Sequence, residues 1–197
     1  MSGIVNDKRF DIIFRDGRTH AVWLDKPVSE ITLQALYELL SLGPTAANSS
    51  PARFLFLQSA EAKERLRPHL SAGNLQQTMS APVVAIVAYD LAFYEKFETL
   101  SPGNDKVRGW FEGNDEKLLE TAFRNGSLQG AYMIIAARAL GLDCGPMSGF
   151  DADGVNNEFF PDGTVRVNFL CNLGHGDPAA LPPRKPRLNF GEAAEVI

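Results

Sequence analysis

Two pairs of positions able to hold a phosphate stand far apart in the chain. Arg18 and Thr19 follow Gly17, and Lys185 and Arg187 flank Pro186. Arginine offers a planar fork of donors matched to phosphate, lysine a mobile point charge and threonine a hydroxyl. Brought together, the four describe a phosphate pocket; kept apart, they are two solvated basic patches. Asn74 and Gln77, three apart in GNLQQTM, can aim two amides from one helical turn at a shared ligand, or stand on the surface. GLDCGPMSGFD spaces Gly141, Gly145 and Gly149 around Pro146, which forbids a helical seam of small residues. It reads as a turn-rich crossing with exposed backbone N–H groups, suited to the edge of an aromatic heterocycle or to a tight loop. GPTAANSSPARF, Gly43 to Phe54, lays down seven small residues in a row after a helix stop. A plain connector is shorter, so these residues suggest that something large and flat comes close to the backbone.

Other chemistries find no support. GxGxxG, GxxxxGK[ST] and GxSxG are absent, which removes the signals for dinucleotide, P-loop and serine-elbow sites. HGD at His175 to Asp177 reads as a turn ending a strand. His20, His69 and His175 are scattered, so their spacing favours no metal site. Cys144 and Cys171 sit among apolar neighbours and read as buried free thiols. The net charge of −5, from 24 acidic against 19 basic residues, argues against nucleic acid as a partner. No apolar run approaches the ~20 residues of a membrane helix, and MSGIVNDKRF lacks the apolar centre of a signal peptide. The expectation is a cytoplasmic protein of ordinary composition, with 45% hydrophobic and 22% charged residues, forming a single domain over residues 1–197.

The positioning elements follow from pattern. Asp7 to Phe14 reads as a short helix ended by the turn dipeptide Asp16-Gly17. Ser29 caps a helix to Leu42, with Leu33, Leu36, Tyr37 and Leu40 as its apolar stripe, stopped by Gly43-Pro44. Arg53 to Gln58 suits a strand, AEAKERLRPHL a charged helix limited by Pro68. Pro82 introduces VVAIVAY, a β-branched run fit for an interior strand buried on both faces. Residues 98–114, around Trp110-Phe111, read as a surface excursion, either a lid, a partner contact or plain packing. Glu116 to Leu140 is the longest helix, and Gly126 and Gly130 would admit another helix or a ligand. Thr164 to Leu173 alternates as a strand, and residues 178–197 form a C-terminal arm. The total is a mixed α/β layer structure.

Taken in order, RTHAVWLDKPV, GPTAANSSPARF, GNLQQTMSAPVVAIVA, ALGLDCGPMSGFD and PRKPRLNF resemble the flavin-dependent nitroreductase family from about Arg18 to Phe190. GPTxANxSPAR, ERLRP, SxGNLQ, ETAFRN, RALGLDxGPMSGF and PRL are most similar to its malonic semialdehyde reductase branch of bacterial pyrimidine degradation. The resemblance implies an α+β fold, a three-layer α/β/α sandwich with a mixed, mostly antiparallel central sheet, assembled as a homodimer. It implies FMN bound without a covalent link at the dimer interface, reduced by NADH or NADPH and reoxidised by a second small-molecule substrate. Arg18, Thr19 and His20 match the first flavin-binding segment, and Lys185 and Arg187 the terminal phosphate pair. Thr45, Asn48, Ser49, Ser50 and Pro51 match a loop lying close to a flavin held mainly by the partner subunit. Asn74 and Gln77 match positions beside the pyrimidine end of the ring. Pro146, Met147, Ser148 and Gly149 match the segment along its edge. No side chain is implied as a fixed acid or base, since the flavin carries the chemistry.

Three departures bear on substrate. Gln77 stands where many relatives carry Lys or Arg, Gly17-Arg18-Thr19 replaces an Arg-Arg-Ser or Arg-His-Ser run, and Ser148 replaces a frequent Glu. One cation at ~4 Å from reduced flavin is worth roughly 4 kcal/mol at an effective dielectric of ~20, so its absence at Gln77 matters to the redox potential. These departures argue against nitroaromatic reduction, and the branch resemblance implies reduction of malonic semialdehyde to 3-hydroxypropionate, with Arg124 or Arg53 as a guess for the substrate carboxylate. A general nitro or quinone reductase is the alternative, and a non-catalytic flavin-binding protein for storage or sensing is the alternative of another class.

Overall fold

Pro82 opens a strand whose eight residues, Val83–Asp90 (β2), are all buried. Such a strand must be covered on both faces and flanked on both edges, and the rest of the chain supplies this cover. The computed structural model describes residues 3–4, 6–104 and 106–197. Met1, Ser2, Val5 and Asp105 lie outside the described residues, so the readings of MSGIVNDKRF and of the 98–114 excursion are followed only for the remainder.

β1 (Ala52–Leu57) pairs with one edge of β2, and β4 (Val165–Gly174) with the other. β3 (Asp143–Met147) pairs with β4, giving the order β1-β2-β4-β3. Every pairing is antiparallel. The expected mostly antiparallel sheet is borne out, and among the described residues the parallel contact is an isolated bridge between Thr19 and Cys144. The β2–β4 register slips between Val87 and Ala88, leaving Asn168 as an extra residue. Its amide donates to Ser127 Oγ at 2.8 Å, so this bulge ties the sheet to the helix above it.

Alternation along β2 sorts the core into layers. Val83, Ala85 and Val87 face Leu33, Leu36 and Leu40 of α2 (Glu30–Leu40) and Met133 and Ala137 of α6 (Asp115–Ala139). Val84 and Ile86 face Leu66 of α3 (Ala60–Leu66) and Val155 of α7 (Ala152–Phe159). This is the three-layer α/β/α sandwich. Each large apolar side chain so buried contributes roughly 1.5–3 kcal/mol. Ser29 caps α2 by accepting from Thr32 N–H, as its position predicts. Tyr37 departs from the stripe and is 54% exposed, sitting edge-on to Phe54 of β1.

The remaining helices are α1 (Asp7–Phe10, running on as a π-helix to Arg15), α4 (Ala72–Met79), α5 (Phe97–Leu100) and α8 (Phe190–Ala193). The 98–114 stretch turns Val107 and Phe111 inward, where Phe111 meets Phe93 edge-on at 5.0 Å. Trp110 stays half-exposed beneath the Lys117 ammonium. Cys144 and Cys171 are buried and free. The Cys171 thiol is pushed up by the neighbouring Cys144 thiol and by burial, which keeps it protonated and unreactive. No helix among the described residues is long and apolar enough to cross a membrane.

Gly126 and Gly130 do not admit a second helix or a ligand; the sheet itself fills the space. A methyl at Gly130 would stand 2.6 Å from the Phe169 ring, and one at Gly126 would meet Tyr89 at 3.0 Å. Gly→Ala ordinarily helps a helix by up to about 1 kcal/mol, whereas overpacking a core costs about 1–3 kcal/mol. Gly130→Ala is therefore expected to destabilise the fold by about 1 kcal/mol net, read as a lowered urea midpoint; a raised midpoint would mean that α6 does not press on the sheet.

Candidate functional site

The two distant pairs meet. Arg18, Thr19, Lys185 and Arg187 line one cavity of about 500 Å³, together with Arg138 and Arg184. The arm is drawn there by backbone acceptors: Arg18 donates to the Pro182 carbonyl, and Arg184 donates to the carbonyls of Arg15 at 2.5 Å and Gly17 at 2.9 Å. Arg187 donates to the carbonyls of Lys185 and Pro186 at 3.0 and 3.1 Å. Arg138, in the last turn of α6, donates to the Ile13 carbonyl at 3.1 Å, while its Nε is buried without a partner. Gly17 lies against this guanidinium, where a Cβ would come within 2.8 Å. Among the described residues, none of these five cations forms an ion pair. Five positive charges without an ion-pair partner line one cavity, in a chain of net charge −5, and give it a positive potential that attracts anions.

An open sheet edge leads away from this cavity. Thr19 bridges to Cys144, and the His20 N–H donates to the Cys144 carbonyl at 3.0 Å. The His20 ring does not line the cavity as expected. It is 5% exposed and turned inward, with Nε2 3.4 Å from Asp143 Oδ1 and Nδ1 unpartnered. The other Asp143 oxygen accepts from the Gly176 N–H at 2.9 Å. His20 thus pins Arg18 and Thr19 in place, and apolar packing against Trp23 explains its inward turn.

The turn-rich crossing expected around Pro146 is in fact β3, and a proline is tolerated there because β3 is an edge strand whose outer side is bridged at Cys144 by Thr19 and not at Pro146. Pro146 and Ser148 are exposed. Gly149 receives the amide of Asn74 on its carbonyl at 2.9 Å, and Gln77 Nε2 donates to Asn74 Oδ1 at 2.7 Å. Trp23 fixes the backbone of that turn by donating to the Gln77 carbonyl at 3.0 Å. Met147 accepts from Thr78 Oγ1 at 3.3 Å. Cys144 to Ser148 covers about 13 Å at ~3.3 Å per residue. Cation cavity, open edge and amide pair therefore form one continuous track.

The small-residue loop lies elsewhere in the same chain. Asn125 Oδ1 accepts from Ala46 N–H and Gln129 Oε1 from Ala52 N–H, both at 2.8 Å, so two buried amides of α6 hold the loop by its ends. Thirteen residues of helix separate Asn125 from Arg138, about 20 Å at ~1.5 Å per residue. Ala47, Asn48 and Ser50 have φ of 52°, 55° and 40°. Left-handed backbone costs roughly 1–3 kcal/mol per residue and clusters at ligand-contacting segments, and it gives the small side chains a second cause. Ser49 and Pro51 are buried, and the Ser49 hydroxyl has no partner. Thr45 Oγ1 accepts from Ser50 N–H, and the exposed Asn48 donates to the Leu100 carbonyl.

Neither guessed carboxylate binder is free. Arg53 pairs with Asp90 at 2.5 Å and donates to the Ser50 and Ala52 carbonyls, and Arg124 pairs with Glu120. Sequence reasoning missed Arg138, Arg184, Asn125 and Gln129. Arg138 had one usable signal, a lone cation in an otherwise apolar last turn. Among the described residues, no group of three or more His, Cys, Asp or Glu could hold a metal ion.

Comparison with known proteins identifies the family. The Nitroreductase family profile matches residues 18–175. A Ralstonia nicotianae protein, provisionally named an NADH dehydrogenase/NAD(P)H nitroreductase, is 56% identical over 187 residues, covering 95% of both chains. A Polynucleobacter asymbioticus protein of the same provisional name is 51% identical over the full length of both. Among solved structures, a nitroreductase-type protein of Exiguobacterium sibiricum crystallised with FMN superposes with a TM-score of 0.87 at 21% identity, covering 100% of each chain. The Bacillus subtilis protein ydfN superposes equally well, at 0.87 and 23% identity, over 98% of this chain and 100% of its own. These two show a shared fold. With four-fifths of its length matched by the family profile and relatives above 50% identity over nearly the whole chain, this protein belongs to the Nitroreductase family.

Proposed function

We propose that the chain is an FMN-dependent NAD(P)H oxidoreductase acting as a homodimer in the cytoplasm, with residues 1–197 forming one domain. The observation that carries this reading is the convergence of Arg18, Lys185 and Arg187 with two further arginines on a cavity without a carboxylate. Such a cavity fits the phosphate of a mononucleotide. The relatives' names supply NAD(P)H, and the Exiguobacterium protein supplies the precedent for FMN. When bound, the flavin supplies a reversible hydride acceptor.

The residues do the rest. Arg18, Lys185 and Arg187 would hold the phosphate, with the Thr19 hydroxyl beside it. Pro146 to Gly149 would border the ring, and the Asn74–Gln77 amide pair would serve its polar end. Gln77 is neutral, so charge on a reduced ring receives weaker support at that point than a cation would give. Within one chain Thr45 to Pro51 stand too far from the cavity to share its ligand. The partner's loop completes the pocket in this reading, its left-handed backbone bringing Thr45, Asn48 and Ser50 close to a flat ring. α2 and α6 pack together and leave Tyr37, Leu39, Leu128 and Tyr132 exposed, an apolar surface suited to a second copy.

For the substrate we favour malonic semialdehyde, reduced to 3-hydroxypropionate, on the strength of the RALGLDxGPMSGF and GPTxANxSPAR runs. The names of the relatives favour the second reading, a general nitro or quinone reductase.

Purified protein is expected to be yellow and to bleach anaerobically with NADH or NADPH; yellow protein inert to both would instead be a storage or sensing protein. Arg187→Ala is expected to weaken FMN binding about 10- to 100-fold, as loss of a charged hydrogen bond of roughly 1.5–3 kcal/mol requires, with unchanged circular dichroism. Unaltered flavin affinity would remove Arg187 from the phosphate site. Turnover of malonic semialdehyde is expected to exceed that of quinones and nitrofurans under the same reductant, and the opposite ranking selects the second reading. Sedimentation should give twice the 21.5 kDa chain mass; a monomer that retains flavin would overturn the shared pocket.

A further inference from the structure

The cation cavity holds more positive charge than one flavin phosphate neutralises. A phosphate monoester carries about −1.5 to −2 at neutral pH, and Arg18, Lys185 and Arg187 already match it. Arg138 and Arg184 remain, from separate parts of the chain and with no carboxylate partner among the described residues. Both donate to backbone carbonyls, which orient a guanidinium without cancelling its charge. Arg138 also keeps a buried Nε–H with no acceptor. A cavity of about 500 Å³ falls in the range that holds whole small molecules, well beyond one phosphate.

We propose that this cavity has a second anion position, formed by Arg138 and Arg184, that takes another phosphate group while the flavin phosphate is in place. The proposal rests on the flavin reading above. The second group has two chemical sources, free phosphate or diphosphate in solution and the phosphates of the adenine nucleotide half of the reductant. In either case, occupancy links flavin retention to the surrounding phosphate pool, because the second anion shields cations that otherwise repel one another.

The test uses FMN-loaded protein in chloride buffer at constant ionic strength. Thermal midpoint and flavin release are followed during titration with inorganic phosphate, with diphosphate and with adenosine 2′,5′-bisphosphate. Saturable stabilisation without loss of flavin is expected. An effect of the inorganic anions identifies free phosphate as sufficient, and an effect of the nucleotide alone identifies the reductant; either supports the second position. Arg184→Gln should weaken the anion at least tenfold, and Arg184→Lys should restore much of that loss, which separates charge from the tethering of the Arg15–Gly17 turn. Displacement of FMN by the added anion, or no effect of any of the three, overturns the proposal and leaves the flavin reading standing. Failure of the unliganded protein to take up FMN at all removes the flavin reading itself.

Discussion

α6 lies so close to the sheet that Gly130 has no room for a methyl against Phe169, and much else follows from that contact. A helix held flush along 25 residues becomes a ruler. At one level it offers Asn125 and Gln129 to the backbone of the small-residue loop. About 20 Å further on, its final turn offers Arg138 to the cation cavity. The two halves of the candidate site are therefore set at a fixed separation by one rigid element. Tertiary packing, more than the helix propensity of its glycines, holds that element in place.

The electrostatics obey the same economy. Surface ion pairs such as Arg67 with Glu64 or Arg108 with Glu112 are solvated and contribute little. The cations of the cavity are withheld from such pairing and are oriented by carbonyls of the Ile13–Gly17 segment and of the arm itself. A site preloaded with positive charge costs folding energy through self-repulsion and regains it when an anion binds. His20 belongs to this scaffold, since its buried ring on Asp143 fixes the neighbouring Arg18–Thr19 backbone.

Much of the frame was legible in the sequence because its signals are local. Ser29 before an i, i+3, i+7 stripe, Pro82 before a β-branched run and the alternation after Thr164 each report their own element. The order of the motifs carried the family. What escaped has physical reasons. β3 was hidden because Gly145 and Pro146 disfavour a strand in general and are tolerated on an edge. Asn125 and Gln129 look like solvated positions until the loop across from them is known. Arg184 and Arg138 lie 46 residues apart and are joined only by folding. The inward turn of His20 is not legible in a segment whose neighbours line the cavity.

An uncovered strand edge ordinarily invites another strand to dock on it, which is how many proteins begin to clump. Beyond the Thr19 bridge at Cys144 the outer side of β3 carries no strand, and Pro146 stands in that stretch. Proline has no N–H with which to zip up a newcomer, yet it offers a smooth hydrocarbon surface to a planar guest. The same residue thus discourages pairing by another strand and, in the proposed reading, leaves that edge open to a ring.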